Sequence, residues 1–432
     1  MKQAFLFIIL LTVSALYASA QKDSLSIDTI GLVEPALRRS WDPTASPSAT
    51  LPLLRSGTPY SMDLTNYNHH LYLDIDATGF FYNVENQLPF AKGYTAPGIR
   101  FSPTLIYGLN DRTLLRAGVN ATLIAGCDSI HELRPILSLT YMPSQHLTLV
   151  AGTLYGSTDH RLDMPLYDPQ RWIYHRLEEG IQIVTRYNHW RSDTWVDWWH
   201  YLVPNTADQE YFTFGSDHTF NIFSSKTNTF NQIIYPPDTA DPTWAYLQSS
   251  GWTLNIPATF LAHHRGGELK TIDTTTLTHF NERIGLRCGH RVARQYVDHS
   301  YSRQWSLDVP VYFFHLSTHS ANGYAFYPST TFEWQHQRGF QELLILAQCG
   351  YWHGNGYQSY FGLPSFNSTA LLAPTADARV RNMITFGLSA EHTYRQNTQV
   401  GLSAQLFYDL AFKQLDFTIG LYLRGKQKVK IL

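Results

Sequence analysis

Apolar and polar residues alternate along much of this chain, most regularly between residues 413 and 424. In that stretch the apolar residues are Leu415, Phe417, Ile419, Leu421 and Leu423, and polar or small residues lie between them. Residues 400–409 alternate in the same way. Because successive side chains of a strand point to opposite faces, each stretch predicts a β-strand with one apolar and one polar face.

The same period of two begins near residue 69 and predicts about 16 strands (roughly 14 to 18). Many of them span about 10 to 15 residues, and a tilted strand needs about 9 to 11 to cross a bilayer. Short connections alternate with long ones, and the long ones are 158–177, 265–278 and 352–378. By this alternation the connection 218–248 should be a short turn, yet it is long. It predicts either an extra hairpin within 219–235 or a wrongly assigned strand.

The N-terminus carries an export signal followed by a proline-rich segment. Lys2 precedes an apolar run at 5–13, and Ala18-Ser19-Ala20 forms a small-residue cleavage site, so residues 1–20 predict a signal peptide. Residues 21–68 contain five spaced prolines and predict an extended arm or linker. Residues 69–432 form the predicted β-domain.

The composition of the chain bears on what the apolar strand faces contact, because its charged content is low and its aromatic content is high. Charged residues make up 15% of the chain, against roughly 25% in ordinary globular domains, and aromatic residues make up 14%. The sequence has no uncharged apolar run long enough for a membrane-spanning helix. A net charge of −2 argues against a nucleic-acid partner. Cys127, Cys288 and Cys349 have no metal-ligand spacing and leave two alternatives, one disulfide with one free thiol or, as the default, three buried and reduced thiols.

Together, the signal peptide, the paired alternating strands and the aromatic strand ends resemble a bacterial outer-membrane β-barrel of porin-like type. The resemblance covers residues 69–432 and implies an all-β fold, a closed antiparallel transmembrane β-barrel with a polar lumen in the outer membrane. It also implies three partners: outer-membrane lipid, small solutes and the barrel-assembly machinery. The sequence departs from the family pattern at its C-terminus, which ends on Leu432 rather than on an aromatic residue. Oligomeric state stays open.

We expect the charged residues on the polar strand faces to line the lumen, since side chains of both positive and negative charge suit the wall of a solvated channel. These candidates are Asp74, Asp76, Arg186, Arg283, Arg287, Arg379, Arg381, Glu391, Asp409 and Asp416. The alternative is that these faces meet bulk water on the outside of a soluble β-sandwich.

Several residues offer possible ligand contacts or chemistry. The candidates for ligand contact in loops are Trp352, His353, Tyr357, Arg265 and Glu268. The carboxylates of Glu178, Glu179, Asp193, Asp197 and Glu210 could pair across neighbouring strands, as in a glycosidase, or could simply be acidic residues of a lumen wall. A tryptophan cluster at 190–199 indicates either a sugar-stacking platform or an interfacial aromatic girdle.

No recognisable catalytic motif occurs: the sequence lacks G-x-S-x-G, H-E-x-x-H and a P-loop. We therefore expect no enzymatic activity, no catalytic residue, no cofactor and no metal. The predicted function is a porin-like channel for passive passage of small solutes. The alternative is a barrel-anchored or secreted protein that binds or hydrolyses glycans.

Overall fold

The computed structural model describes residues 64–201, 209–233, 244–266, 277–296, 299–316, 321–368, 379–395 and 397–432. The strands of these residues belong to one antiparallel sheet. In chain order they are β1 (Leu71–Glu85), β2 (Tyr94–Asn110), β3 (Thr113–Ile124), β4 (Glu132–Ser144), β5 (Leu147–Thr153), β6 (Glu179–Arg186), β7 (Trp190–His200), β8 (Glu210–Ser224), β9 (Thr227–Ile233), β10 (Trp244–Gly266), β11 (Leu277–Gln295), β12 (His299–Leu316), β13 (Asn322–Phe326), β14 (Ser329–Arg338), β15 (Gln341–Asn355), β16 (Val380–Tyr394), β17 (Thr398–Asp409) and β18 (Gln414–Lys430).

The sheet closes on itself, because β1 pairs with β2 along one edge and with β18 along the other. Two positions of the barrel are each filled by two consecutive segments. β8 and β9 both pair with β10, and β13 and β14 both lie between β12 and β15. The barrel therefore has 16 strand positions, and the predicted antiparallel barrel of about 16 strands is confirmed.

The irregular region after residue 218 is an extension of a strand. β8 ends at Ser224, and β9 continues along β10 in the same direction as far as Ile233. Both segments pair with β10 in antiparallel orientation. Residues 219–233 therefore form no hairpin of their own. Residues 234–243, which connect β9 to β10, lie outside the described part of the chain, as do the predicted signal peptide and most of the proline-rich arm.

The alternating faces of each strand separate the inside of the barrel from the outside. On β18, Leu421 and Leu423 are 48% and 49% exposed, whereas Tyr422 and Arg424 are 2% and 3% exposed. A closed sheet satisfies its backbone internally, and its outward apolar faces suit the hydrocarbon of a bilayer. The polar faces thus line the interior, and a soluble sandwich is excluded. The three cysteines are free thiols, but Cys127 and Cys349 are exposed and Cys288 is half-buried, so the expectation that all three are buried is wrong.

The two rims of the barrel differ. The connections β2–β3, β4–β5, β6–β7 and β16–β17 are short and lie at the rim that holds the chain's C-terminus. The long connections β5–β6 and β15–β16 lie at the opposite rim, which faces the cell exterior in outer-membrane barrels. No helix in the described residues is long and apolar enough to cross a membrane.

Parts of these two long connections fold back into the lumen, and we call residues 154–178 and 356–368 the plug. All residues from 162 to 173 are buried, including most of a single helical turn at Arg171–Tyr174. Backbone hydrogen bonds join the two halves of the plug: Leu363 donates to the Met164 carbonyl at 2.8 Å and Asp168 to the Phe361 carbonyl at 2.5 Å. The plug therefore lies inside the barrel, on the side of the long connections.

Candidate active site

A buried histidine lies between two carboxylates where the first half of the plug meets the wall. His160 contacts Glu178 Oε2 through Nε2 at 2.7 Å and Asp193 Oδ2, on β7, through Nδ1 at 2.9 Å. Its ring stacks on Trp195 with centroids 3.6 Å apart. Tyr167 donates to the other oxygen of Glu178 at 2.5 Å. All these side chains are shielded from solvent, so the ion pairs are only weakly screened.

The electrostatics of this cluster fix its charge state. Burial alone would lower the pKa of His160, but Glu178 and Asp193 outweigh burial and raise that pKa to about 10. Burial would raise the pKa of Glu178, yet His160 and Arg171 hold that pKa well below its usual range. His160 is therefore an imidazolium at neutral pH with both ring nitrogens engaged. It cannot accept a proton, and its role is to hold Glu178 and Asp193 in place.

A second histidine–carboxylate pair lies closer to the rim with the long connections. His175 Nε2 is 3.6 Å from Asp197 Oδ2, and the His175 ring stacks on Trp199 with centroids 3.9 Å apart. The other oxygen of Asp197 accepts a hydrogen bond from the Glu179 amide at 2.8 Å. The 3.6 Å separation exceeds a hydrogen bond, but such contacts tighten in many enzymes when substrate binds.

The carboxylates of both pairs, Glu178 and Asp197, line a small cavity of about 10 Å³, and neither histidine belongs to its lining. Its polar lining includes Asp197, Glu178 and Arg171, and its apolar walls include Leu261 and Phe361. The Arg171 guanidinium lies 4.3 Å from the Phe361 ring centroid, and its Nη2 is 3.9 Å from Glu178 Oε1. A histidine with a carboxylate partner, next to a buried pocket that an arginine also lines, has the components for general-base catalysis with stabilisation of an oxyanion.

Three of the five candidate carboxylates meet in the lumen. Glu178 and Asp193 share His160, and Asp197 pairs with His175. Glu179 instead pairs with Arg134 at 3.1 Å, and Glu210 accepts a hydrogen bond from Trp198 at 2.9 Å. The tryptophans of the cluster lie on both faces of the barrel wall: Trp195 and Trp199 face inward, and Trp190 and Trp198 face outward. This follows from the side-chain period of two along a strand.

Most of the residues expected to line the lumen are buried inside the barrel or half-buried near a rim. The buried ones are Asp76, Arg283, Arg287, Arg381, Asp409 and Asp416, and the half-buried ones are Asp74, Arg186 and Glu391. Several form ion pairs across strands, such as Arg381 with Asp409 at 2.9 Å and Arg424 with Asp76 at 2.5 Å. Arg379 is exposed just before β16 and donates to Asn355 at 3.3 Å.

The candidate loop contacts have separate positions. Trp352 is fully buried on β15, and Tyr357 is fully buried in the plug, where its hydroxyl donates to the Pro165 carbonyl at 3.0 Å. His353 faces outward and contacts Asn382 at 2.8 Å, and Arg265 lies 5.0 Å from the Tyr211 ring centroid. Glu268 lies outside the described residues. The structure therefore does not bring these five residues together.

Sequence reasoning missed His160, Tyr167, Arg171 and His175, which all belong to the plug. The available signal was the high density of charged and aromatic residues in the long connection 158–177. Such a segment is unusual for a simple exposed loop, because it contains enough apolar and ionic groups to be buried.

Several solved structures of outer-membrane proteins are similar to this chain. OprD from Pseudomonas aeruginosa matches at 9% identity over 85% of this chain and 97% of its own, with a TM-score of 0.43. OpdK from the same organism matches at 10% identity over 84% and 100%, with a TM-score of 0.41. OccAB4 from Acinetobacter baumannii matches at 10% identity over 84% and 100%, with a TM-score of 0.38. No curated protein matches the chain.

One protein-family model matches residues 63–432, which include the whole barrel. Its description is lipid A 3'-O-deacylase-type, and a deacylase is an enzyme. The expectation from the sequence that the protein is not an enzyme is therefore wrong, because absence of a short catalytic motif does not exclude a site assembled from distant residues. From the length of this match, the chain belongs to the lipid A 3'-O-deacylase-type family.

Proposed function

We propose that the protein is an outer-membrane hydrolase that cleaves ester-linked acyl chains from lipid A-type glycolipids. The observation that carries this proposal is the His175–Asp197 pair beside an arginine-containing cavity, in a chain of a deacylase-type family. The apolar outer wall supports it too, since a barrel embedded in the outer membrane lies among such lipids.

In the proposed reaction His175 removes a proton from a water molecule, and the water oxygen attacks the ester carbonyl carbon. Asp197 stabilises the imidazolium that forms. Arg171 stabilises the negative oxygen of the tetrahedral intermediate, which then collapses as the C–O bond to the sugar oxygen breaks. His175 returns its proton to the departing alkoxide, so the products are a fatty acid and a free sugar hydroxyl. The fixed His160 imidazolium keeps Glu178 from competing for this proton.

The plug restricts entry to this site. The cavity holds about one water molecule, so an acyl chain enters only after the plug shifts. Phe361 and Leu261 form apolar walls of the cavity, and Phe361 belongs to the shorter half of the plug. Displacement of Phe361 would extend the cavity along an apolar path suited to an acyl chain.

The test is release of fatty acid from acylated lipid A in mixed micelles with the refolded protein, followed by mass spectrometry. We expect His175→Gln to reduce the rate by about 10²- to 10⁴-fold, the usual loss when a general base is removed. His146→Gln is the matched control, because His146 lies at the opposite rim and contacts the Arg186 carbonyl. Heat-modifiable gel mobility checks folding. An inactive wild type, or a folded His175→Gln variant with full activity, contradicts the proposal.

A second candidate function is passive passage of small solutes. Its support is the polar inward face, which includes Thr148, Asn221, Asn255 and Ser302 below the plug. Because the plug lies inside the barrel, we expect no steady conductance in a planar bilayer unless the plug moves. Stable open steps from the wild-type protein would favour passage, and a silent, correctly folded barrel would count against it. Membrane insertion by the barrel-assembly machinery belongs to both proposals.

A further inference from the structure

An arginine of the barrel wall holds the plug backbone just before His175. Arg100, on β2, donates hydrogen bonds from Nη2 to the carbonyl oxygens of Trp172 and Ile173, the latter at 3.4 Å. Both carbonyls belong to the helical turn Arg171–Tyr174, and the last carbonyls of a helical turn have no amide partner within it. Cationic side chains commonly bind such carbonyls, so Arg100 fixes the position at which the turn ends.

The Arg100 guanidinium is itself held in place. Arg100 is 1% exposed, and its Nε donates to Thr122 Oγ1, on β3, at 3.3 Å. Its Cζ atom lies 5.1 Å from the centroid of the Trp172 ring, and that ring makes a T-shaped contact with Phe80 on β1. Because packing and hydrogen bonds lock the guanidinium in one orientation, it fixes the two carbonyls that it binds.

Further contacts hold the chain just after His175. Arg134, on β4, donates from Nη1 to the Leu177 carbonyl at 3.2 Å. Arg176 of the plug reaches Asp76, on β1, with Nη2 3.5 Å from Oδ2. The plug is therefore attached to β1, β2 and β4 within three residues of the histidine, on both sides of it.

No hydrogen bond joins His175 to Asp197. His175 Nε2 and Asp197 Oδ2 are 3.6 Å apart, and both atoms are buried without a hydrogen-bond partner in the described part of the chain. The stack on Trp199 fixes the plane of the His175 ring but lets the ring slide within that plane. We infer that Arg100 and Arg134 are positioning residues, which set the distance from His175 to Asp197 by holding the plug backbone, a role that rests on the deacylase function proposed above.

The experiment compares the refolded full chain with Arg100→Met, Arg134→Met and Arg100→Lys in the fatty-acid release assay, at equal amounts of folded barrel. A displacement of about 1 Å can cost roughly 100-fold in rate, so we expect each methionine variant to lower kcat by about 10- to 100-fold with little change in KM. Lysine can still donate to a carbonyl, so Arg100→Lys should recover part of the loss. Arg112→Met, in the exposed β2–β3 turn, is the matched control and should behave like the wild type.

A labelling measurement tests the positioning of His175 without using activity. Diethyl pyrocarbonate modifies accessible imidazoles, and mass spectrometry gives the rate at each histidine. We expect slow modification of His175 in the wild type, because its side chain is only 13% exposed. The rate should rise in both methionine variants, since a released segment admits the reagent. His146, exposed at the opposite rim, is the internal reference and should react equally in all variants.

The two measurements separate the failure of this inference from the failure of the proposed function. A wild type that releases no fatty acid contradicts the deacylase activity, and the labelling rates then decide the positioning role alone. In an active protein, folded methionine variants with wild-type kcat overturn the inference. So do methionine variants in which His175 is modified no faster than in the wild type. If Arg100→Met fails to fold, Arg134→Met carries both measurements, because it releases the other side of His175.

Discussion

Replacement of His160 by glutamine tests the electrostatic basis of the plug. The pKa of His160 rises from 6.5 to about 10 on folding, and each pKa unit is worth about 1.4 kcal/mol, so the interaction amounts to at most about 5 kcal/mol. Glutamine fills the site without a charge and leaves Glu178 and Asp193 buried side by side. Removal of one partner from a buried ionic cluster usually costs about 3 to 5 kcal/mol, and we expect a loss in that range.

The pH dependence gives an independent check. Since the pKa of His160 is higher in the folded state, its contribution is complete below about pH 6.5 and disappears as the pH rises towards 10. The wild-type plug should therefore lose stability across that window. The plug of His160→Gln should be weak throughout and should lack the decline that is due to this histidine.

Pulse proteolysis with mass spectrometry measures this effect, because cleavage within 154–178 reports local release of the plug while the barrel stays folded. His353→Gln is the matched control, since His353 is on the outer wall and contacts Asn382. Equal protection of the plug in His160→Gln and wild type refutes the reasoning. A wild-type plug whose stability does not change between pH 6.5 and 10 refutes it as well.

Two further pairs of substitutions test the packing and the membrane orientation. Trp352→Ala should destabilise the protein by about 3 to 5 kcal/mol, because it empties a fully buried site, whereas Tyr351→Ala on the outer face should cost far less; thermal midpoints compare the two. Leu421→Arg should cost about 2 to 4 kcal/mol in lipid, and Val429→Arg near the end of β18 about 0 to 1. Unfolding in lipid vesicles measures both variants, and equal losses of stability would contradict a deeper position in the bilayer for Leu421 than for Val429.

The period of two predicted the barrel because it is a local property of each strand. The alternation of residues 413–424 is enough to assign an outward face to Leu421 and an inward face to Arg424, and the structure agrees. Where the pattern was interrupted, the prediction was weaker. The excess length after residue 218 reflects a strand continued by β9, and only the pairing of β9 with β10 shows this.

The candidate site was only partly predictable. Glu178, Asp193 and Asp197 could be named as carboxylates able to pair across neighbouring strands, although the structure places Glu178 at the end of the plug, one residue before β6. Nothing in their spacing indicates that His160 lies between two of them or that His175 faces the third. These contacts arise because the plug folds inward, and the fold of an irregular segment depends on the surfaces that it meets rather than on its own periodicity.

The sequence by itself determined the all-β architecture, the approximate number of strands and the inward or outward face of most strand residues. It did so because backbone geometry forces side chains to alternate. Only the tertiary structure decided that the lumen is plugged and that the histidine–carboxylate pairs and the arginine-containing cavity exist. Those features join residues from the plug to distant strands, and the free energy of such contacts depends on burial and charge pairing that no local pattern records.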